Sequence, residues 1–403
     1  MKEYNIKCLN CEKENFQDIL NLGDQPWCGN FLKKEDVGKE PYYPLKLIYC
    51  NNCELLQLSY RVPKEIMFKN HQYLSGTTKT LTDHFFEIAK ENIKQYKLTK
   101  KDCVLDIGGN DGTQLLQYKK QGISNIINVE SADNISKISE NNGVKTYNDF
   151  FNMKFCKNHL RPSSIKLINA SGVFFHLEEL RDVINAIEYL LEDDGIFTVQ
   201  FMYAGSMIDN MNFDTIYHEH LCYYTINSFL NLFKNTTLKL NNIYFSTIHS
   251  GTIIAKMVKN KTTELTQKEQ EFIILDKTKY SLENIQLFAE SVVNKKSQLK
   301  NFLLKLKSQK KVIYACGAPA KGNTLLNYFD IDTSLISKTV EINDMKIGRF
   351  LPGSHIPIVK ENKMDVPDYY LLLSHNFLNE IVNKNKHLKV KYIIPFPEVR
   401  VIQ

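Results

Sequence analysis

The sequence predicts an α/β protein of three domains, and three features of the chain carry that prediction. Paired cysteines lie near its start, apolar strands alternate with helical segments through its middle, and a shorter alternation follows a lysine-rich helical stretch. We expect a small N-terminal domain at residues 1–70, a central domain at 71–260 and a smaller α/β domain at 261–403. A chain of 403 residues is long enough for this division.

The composition is that of an ordinary globular protein, with 43% hydrophobic and 24% charged residues. The net charge of +6 is a small surplus of 51 basic over 45 acidic residues, so charge does not indicate a nucleic-acid partner. No apolar run approaches the length of a membrane span, and the first residues lack the apolar core of a signal peptide. We therefore expect a cytoplasmic protein without a membrane partner, in which paired cysteines are metal ligands rather than disulfides.

Two CxxC pairs predict a structural zinc site in the N-terminal domain. Cys8 and Cys11 form the first pair, and Cys50 and Cys53 form the second after a spacer of 38 residues. Four sulfur ligands close a tetrahedral site, which leaves no open position for water chemistry. The long spacer predicts a folded loop, for which residues 23–26 supply turn chemistry.

The central domain begins with a strand, a glycine turn and a helix. The apolar strand 103–107 breaks into the turn 108–112, and the helix 113–119 follows. Glu130 ends the next strand, 126–129, 18 residues after the turn, where a carboxylate can bind ribose hydroxyls. The glycines do not match GxGxxG, which disfavours a pyrophosphate and favours a smaller nucleoside. An ordinary βα turn is the alternative.

The alternation continues with strand 165–169, helix 177–191 and strand 195–200. Repeated βα units predict a parallel, doubly wound, Rossmann-like sheet. His176 and the stretch 213–224 both follow strands, so we expect them at the carboxyl edge of the sheet, where ligands bind.

The stretch 213–224 concentrates acid and base side chains. Positions 217–224 hold two histidines, a glutamate and three tyrosines, a combination suited to proton transfer near neutral pH. A zinc site is disfavoured because His218 and His220 are two residues apart, whereas a helical zinc motif needs a spacing of four. These residues by themselves leave proton transfer and a polar turn between aromatic anchors equally open.

The C-terminal part opens with a lysine-rich helical connector at 261–310 and a second strand-turn-helix unit. Strand 311–315 leads into the small-residue turn 316–324, which carries Lys321 at a helix N-terminus. Backbone N–H groups, the helix dipole and an ammonium group converge there, an arrangement suited to a phosphate. An ordinary βα turn with a solvated lysine is the alternative. A polar loop, 343–357, follows.

Five motifs together resemble one family, the S-adenosylmethionine-dependent C-methyltransferases that act on nucleotide-linked 4-ketodeoxysugars. They are the two CxxC pairs, DIGGNDG at 106–112, FDTIYHEH at 213–220, GAPAKGNTLLN at 317–327 and LPGSHIPI at 351–358. The resemblance covers nearly the whole chain. It implies a zinc-binding N-terminal domain, a central methyltransferase domain that binds S-adenosylmethionine, and a C-terminal α/β domain that helps to hold the sugar nucleotide.

The resemblance also implies roles for individual residues. His220 would be the general base that removes the proton alpha to the C4 ketone, Tyr217 and Glu219 would position it or the substrate, and His176 would stabilise the enolate at the keto oxygen. The candidate cofactor contacts are Tyr73, Asp106, Gly108, Gly109, Asn110, Asp111, Gly112, Glu130, Asp149 and Phe150. The candidate substrate contacts are Gly317, Lys321, Asn327, Arg349 and His355.

Three positions depart from the family pattern. Gly172 stands where the family usually has Asn, Phe175 replaces a small residue, and Gln200 replaces an acid. We expect a pocket that differs in detail. The leading hypothesis is C3 methylation of a nucleotide-linked 4-keto-6-deoxysugar. O- or N-methylation of a sugar or small molecule is a second hypothesis. A zinc-ribbon nucleic-acid-binding protein is a third, which the two nucleotide-type turns disfavour.

Overall fold

The computed structural model describes residues 6–68, 74–248, 251–261, 264–362, 364–375 and 378–403. Tyr73, one of the predicted cofactor contacts, lies outside these residues. Within the described ranges, no helix combines the length and the apolarity needed to cross a bilayer.

Strands and helices alternate along most of the chain. The strands are β1 (Phe16–Pro26), β2 (Tyr42–Cys50), β3 (Leu56–Leu58), β4 (Val104–Ile107), β5 (Ile126–Val129), β6 (Lys145–Tyr147), β7 (Ile165–Ser171), β8 (Leu191–Met202), β9 (Cys222–Tyr223), β10 (Leu238–Ser246), β11 (Thr252–Lys259), β12 (Ile313–Cys316), β13 (Thr339–Glu341), β14 (Ile358–Lys360), β15 (Tyr369–Leu372), β16 (Lys391–Ile394) and β17 (Arg400–Ile402). The helices are α1 (Lys64–Phe68), α2 (Lys79–Tyr96), α3 (Thr113–Lys120), α4 (Asp133–Asn141), α5 (Met153–His159), α6 (Leu180–Leu190), α7 (Ala204–Asp209), α8 (Ile226–Leu232), α9 (Gln267–Lys279), α10 (Leu282–Ser308), α11 (Ala320–Tyr328) and α12 (Leu378–Lys384).

The first sheet has the order β1-β2-β3-β9 and is antiparallel throughout. The spacer between the cysteine pairs is therefore a long β-hairpin rather than the expected loop. Residues 23–26 do not turn the chain but end β1, where the pairing with β2 shifts register between Asn21 and Asp24. Gly23 supplies the positive φ of +78° that this bulge requires.

The central sheet has the order β10-β11-β8-β7-β4-β5-β6. Strands β4 to β8 are parallel, as predicted, and their buried apolar runs suit a sheet covered on both faces. The β10–β11 hairpin adds an antiparallel edge that the sequence analysis did not anticipate. The α/β fold class is confirmed, with a mixed rather than a purely parallel central sheet.

The third sheet has the order β14-β13-β12-β15-β16-β17 and is parallel except for β17. The predicted helical connector consists of α9 and α10. A Thr266–Glu269 capping box starts α9, and the Ser281 side chain accepts a hydrogen bond from the third residue of α10. The domain limits at 70 and 260 stay predictions. β9 lies within the predicted central domain but joins the sheet of the N-terminal segment.

The stretch 213–224 is fixed at both ends by other parts of the chain. Phe213, fully buried, packs against Tyr328, Phe329 and Phe396 with ring centroids 5.5, 5.3 and 5.1 Å away. At the other end, β9 pairs with β3. Three of the four candidate catalytic residues, Tyr217, Glu219 and His220, therefore lie on a short segment held between the first sheet and the aromatic side chains of the C-terminal part.

Candidate active site

The four predicted zinc ligands form a cluster. Their sulfur atoms all lie within 4.8 Å of one another, with 3.4 Å between Cys8 and Cys53 and 3.5 Å between Cys11 and Cys50. Tetrahedral zinc with bonds of about 2.3 Å separates its sulfur ligands by about 3.8 Å. The donor set and its spacing therefore fit a closed zinc site.

Both cysteine pairs use the same backbone turn. Glu12 and Glu54 each follow the second cysteine of a pair, adopt a left-handed φ of 60° and 64°, and donate their N–H to the carbonyl of the first cysteine at 2.9 Å. Arg181 lies beside the cluster and donates from Nε to the carbonyl oxygen of Asn10 at 2.9 Å. Its guanidinium offsets negative charge that four thiolates bring to the site.

A cavity of about 630 Å³ opens where the three sheets meet. Its wall takes Trp27 and Phe31 from the N-terminal segment, Glu130 from the central sheet, and Lys321 and Arg349 from the C-terminal part. All four candidate catalytic residues also line it: His176, Tyr217, Glu219 and His220. The tertiary structure thus joins groups that are widely separated in sequence.

The hydrogen bonding of His220 sets its tautomer. Nδ1 lies 2.9 Å from the carbonyl oxygen of Thr215, and because a carbonyl only accepts, Nδ1 is the donor. In the neutral ring, Nε2 is then the basic nitrogen. Tyr217 stacks obliquely on this imidazole, with ring centroids 3.8 Å apart. Burial raises the pKa of Tyr217 well above its usual value, so its phenol stays protonated.

The other histidine of the motif has a structural environment. His218 does not line the cavity, and its Nε2 donates to the carbonyl oxygen of Tyr43 at 3.3 Å. Burial lowers the pKa of His218 to about 4, so it stays neutral near pH 7. His218 therefore helps to fix the motif on the N-terminal sheet.

His176 and Glu219 are linked through the backbone. His176 Nδ1 lies 2.5 Å from the carbonyl oxygen of Glu219 and must donate to it. The Glu219 side chain accepts a hydrogen bond from Trp27 Nε1 at 2.7 Å. The rings of His176 and His220 are 5.1 Å apart, so two imidazoles face one small volume.

One end of the cavity has the residues of the predicted nucleoside site. Gly108, Asn110, Glu130, Asp149 and Phe150 all line it. The Glu130 carboxylate accepts hydrogen bonds from the backbone N–H groups of Asn110 at 3.0 Å and Ala132 at 2.8 Å, which hold it at the end of β5. A carboxylate in this position suits ribose hydroxyls.

Asp106 lies behind this wall and is almost fully buried, with Oδ1 lacking a partner among the described residues. Burial, followed by the charge of Glu130, raises the pKa of Asp106 to about 8. A buried carboxyl group that has an oxygen without a hydrogen-bond partner, next to a nucleoside site, suits a cationic ligand group. The residues present therefore fit a cofactor such as S-adenosylmethionine, whose amino group is positively charged.

The remaining members of the glycine turn shape this end without lining it. A Cβ on Gly109 would lie 2.6 Å from Asn128 Oδ1, and Gly112 adopts a positive φ of +80° at the start of α3. Asp111 accepts hydrogen bonds from the Gly76 N–H and the Thr113 hydroxyl. Asp111 therefore ties the glycine turn to the segment that precedes α2.

The other end of the cavity is cationic. Lys321 Nζ lies 3.1 Å from His375 Nε2 and 3.9 Å from the fully buried carboxylate of Asp214. Burial lowers the pKa of Lys321, and Asp214 partly opposes that shift. Burial alone would raise the pKa of Asp214, but Lys321 and His375 outweigh it and hold that pKa below its usual value.

Lys346 and Arg349 extend the cationic wall. Lys346 Nζ donates to the Ala318 carbonyl at 2.8 Å and lies 4.5 Å from the centre of the Phe31 ring. Arg349 Nη1 donates to the Phe31 carbonyl at 3.0 Å. Arg349 was a predicted substrate contact, whereas Lys346, Trp27 and Phe31 were not, although Lys346 lies in the polar loop 343–357.

Three predicted substrate contacts lie outside the cavity wall: Gly317, Asn327 and His355. Gly317 has a φ of +86° and packs against Ser374. The Asn327 side chain donates to backbone carbonyls, and His355 Nε2 lies 2.6 Å from the Glu40 carboxylate. These contacts connect parts of the chain, and a substrate role for the three residues stays a prediction.

The three departures from the family pattern all line the same cavity. Gly172 has a φ of +75°, and a Cβ there would meet nothing within 4 Å. The Phe175 ring lies edge-on to His220, with centroids 4.7 Å apart. Gln200 Oε1 lies 2.8 Å from His84 Nε2, so a neutral pair occupies that position.

Comparison with known proteins identifies the family. Residues 8–68 match a model described as "Putative zinc binding domain", residues 76–241 one described as "Methyltransferase domain", and residues 247–397 one described as "C-methyltransferase C-terminal domain". The C-methyltransferase NovU of Streptomyces niveus is 27% identical over 411 residues, which cover 98% of this chain and 96% of NovU. The chain belongs to the S-adenosylmethionine-dependent C-methyltransferases. The enzyme binds S-adenosylmethionine in its central domain, and its N-terminal segment is a zinc-binding domain built on the four-cysteine cluster.

Solved structures also resemble part of the enzyme. The geranyl diphosphate C-methyltransferase of Streptomyces coelicolor A3(2) is 10% identical, with 45% of this chain and 81% of that chain covered and a TM-score of 0.36. The YcgJ protein of Bacillus subtilis is 12% identical, with 45% and 100% covered and a TM-score of 0.36.

Proposed function

We propose that the enzyme methylates C3 of a nucleotide-linked 4-keto-6-deoxysugar and that His220 removes the C3 proton. The observation that carries the proposal is the hydrogen bond from His220 Nδ1 to Thr215, on the wall of a cavity with a nucleoside cradle at one end and cations at the other. The motif resemblance supplies the substrate class.

Carbon methylation beside a ketone needs a base, because carbon becomes nucleophilic only when its proton is removed. In the neutral tautomer of His220, Nε2 takes this proton, and the electron pair moves into the C3–C4 bond as charge develops on the ketone oxygen. The donated Nδ1 hydrogen bond holds the ring in place and supports the imidazolium that forms. Tyr217, stacked on the ring, restricts its rotation further.

The developing oxyanion needs hydrogen-bond donors. The Tyr217 phenol stays protonated and supplies one. His176 commits its Nδ1 proton to the Glu219 carbonyl, so it donates to an oxyanion from Nε2 only as an imidazolium.

Binding energy for the substrate comes from the two ends of the cavity. Lys321, Lys346 and Arg349 supply positive charge suited to a diphosphate, and the lowered pKa values of the two lysines reflect burial that an anion would compensate. S-adenosylmethionine, when bound, supplies the electrophilic methyl group. Gly108 and Glu130 would hold its nucleoside, with Asp106 behind them.

The proposal is tested with a panel of nucleoside-diphosphate 4-keto-6-deoxyhexoses. Incubation with S-adenosylmethionine should add one methyl group, which mass spectrometry detects and NMR assigns to C3. In heavy water without the methyl donor, the wild type should exchange the C3 proton for deuterium. A general base contributes about 10²- to 10⁴-fold, so His220→Asn should slow exchange by that factor.

His218→Asn is the matched control, because it alters the neighbouring buried histidine, which lies off the cavity wall. It should retain exchange, with thermal melting used to check its fold. Equal exchange by wild type and His220→Asn would show that His220 is not the base. Methylation of acceptors without a ketone, and of no keto sugar, would refute the proposed substrate class.

A further inference from the structure

A side chain of the zinc-binding N-terminal segment, Trp27, contacts the stretch 213–224 directly. Trp27, the single tryptophan of the chain, follows β1 and lines the cavity together with Gly29, Asn30 and Phe31. Its indole Nε1–H donates to Glu219 Oε1 at 2.7 Å across 192 positions of sequence. Glu219 is 9% exposed, so its carboxylate depends on protein donors such as this one.

The backbone that carries Trp27 is held from the other side. The buried Asn323 side chain donates to the Cys28 carbonyl at 2.7 Å, and Leu32 and Phe350 exchange both backbone hydrogen bonds at 2.9 Å. These bonds attach the segment to α11 and to the loop before β14. Trp27 therefore projects from a fixed support and not from a free loop end.

Gly29 makes the approach of the two side chains possible. A Cβ on Gly29 would lie 2.5 Å from Glu219 Oε1 and 2.9 Å from Trp27 Nε1, which is closer than real Cβ atoms approach other atoms. Its φ is not in the left-handed region, so space and not backbone conformation requires glycine here. The local sequence thus accommodates this particular hydrogen bond.

Glu219 connects this contact to the two imidazoles. Its carbonyl oxygen accepts from His176 Nδ1, and its backbone leads directly into His220. We propose that Trp27 is a positioning residue of the enzyme: its N–H fixes the Glu219 carboxylate, and residue 219 then orients His176 and His220 toward the reacting carbon. This inference rests on the proposed function.

Trp27→Phe removes the N–H and retains an aromatic ring. Loss of this hydrogen bond to the carboxylate should misplace the catalytic groups. We therefore expect kcat and the rate of deuterium exchange to fall about 10- to 100-fold, with KM little changed. A tryptophan that served only as a wall for the substrate would instead raise KM. Gly29→Ala, which leaves Trp27 in place but inserts a methyl group beside the contact, should reproduce the loss.

A double-mutant cycle tests whether Trp27 acts through Glu219. If it does, Trp27→Phe should cost little further rate in a Glu219→Ala background, since the acceptor is already absent. Multiplicative losses in the double variant would overturn the positioning role. Circular dichroism and thermal melting check that each variant is folded.

Tryptophan emission tests the contact without any substrate, because every photon emitted by tryptophan comes from Trp27. Glu219→Ala should shift the emission maximum of the resting enzyme, and Glu178→Gln, at another cavity carboxylate that lies 3.3 Å from Arg61, should not. Unchanged emission in Glu219→Ala would overturn the contact itself. A wild type that neither exchanges nor methylates any keto sugar would overturn the proposed function and this role together, whereas an active wild type with multiplicative losses would overturn the role alone.

Discussion

Asp106→Asn should stabilise the cofactor-free enzyme at high pH but not at low pH. The Asp106 pKa is raised from 3.8 to about 8, first by burial and then by the charge of Glu130. Between these two values the folded state binds a proton that the unfolded state has released. Stability contributed by this group is therefore present below about pH 4 and is lost as pH rises toward 8.

The size of the effect follows from the interval between the two pKa values. Near pH 7 the pH is about three units above the pKa of the unfolded carboxyl. The free energy of unfolding is therefore lowered by about 4 kcal/mol near pH 7 and by about 6 kcal/mol above pH 8. Asparagine does not ionise and so avoids this loss. Its buried amide would lack hydrogen-bond partners, which destabilises the fold by about 1–3 kcal/mol. We expect Asp106→Asn to be neutral or destabilising near pH 5 and to stabilise by about 3–5 kcal/mol near pH 8.5.

Urea unfolding of the cofactor-free protein at these two pH values measures the effect. The exposed Asp133 provides the matched control, since Asp133→Asn should follow the wild-type profile. At pH 8.5, where the Asp106 carboxyl is mostly ionised, calorimetry should also show weaker S-adenosylmethionine binding by Asp106→Asn, because asparagine lacks the negative charge. Stability differences between Asp106→Asn and wild type that do not vary with pH would refute the reasoning.

Three further predictions concern structure. Cys50→Ser should abolish one bound zinc, measured by atomic emission, and lower the melting temperature, whereas Cys28→Ser, outside the cluster, should retain the metal. Glu12→Gly should stabilise the protein by up to about 1 kcal/mol in urea unfolding, because Glu12 is exposed and left-handed; unchanged or lower stability would contradict this. Phe213→Ala should destabilise by about 3–5 kcal/mol through a cavity among the aromatic rings at the junction, and Phe213→Leu by clearly less; equal losses would argue against a cavity effect.

Local chemistry in the sequence was sufficient for much of the fold. Apolar strands ending in glycine turns, and helices with regular apolar spacing, depend on neighbours within a few residues, so β4, α3 and β5 were predicted to within about one residue, whereas α11 begins inside the predicted turn 316–324. The paired cysteines were predicted correctly as a cluster for the same reason, since each CxxC turn is closed by its own backbone hydrogen bonds. The β10–β11 edge and the hairpin between the cysteine pairs were missed because strand formation depends on packing against neighbouring strands and faces more than on local residue preference.

For the candidate site, too, part could be predicted from local sequence and part depended on tertiary contacts. Residue types at 213–220 and the motif order predicted which histidines, glycines and lysine to consider. The resemblance already gave the base role to His220 and not to His218. The tertiary structure adds the physical difference between them: His220 donates Nδ1 to Thr215 and lines the cavity, whereas His218 is buried against Tyr43. The tertiary structure also shows that Asn327 and His355, two predicted substrate contacts, lie outside the cavity wall and form contacts between segments.

The sequence by itself therefore determined the fold class, the zinc ligands and the family, because these depend on residue identity and short-range spacing. The tertiary structure decided which groups share one cavity. Trp27 and Glu219 are 192 positions apart, and Lys321 and Asp214 are about half as far, so no local pattern marks either pair. Burial, tautomer and charge pairing arise only when three sheets bring such groups together and exclude water, and these decide what the site can do.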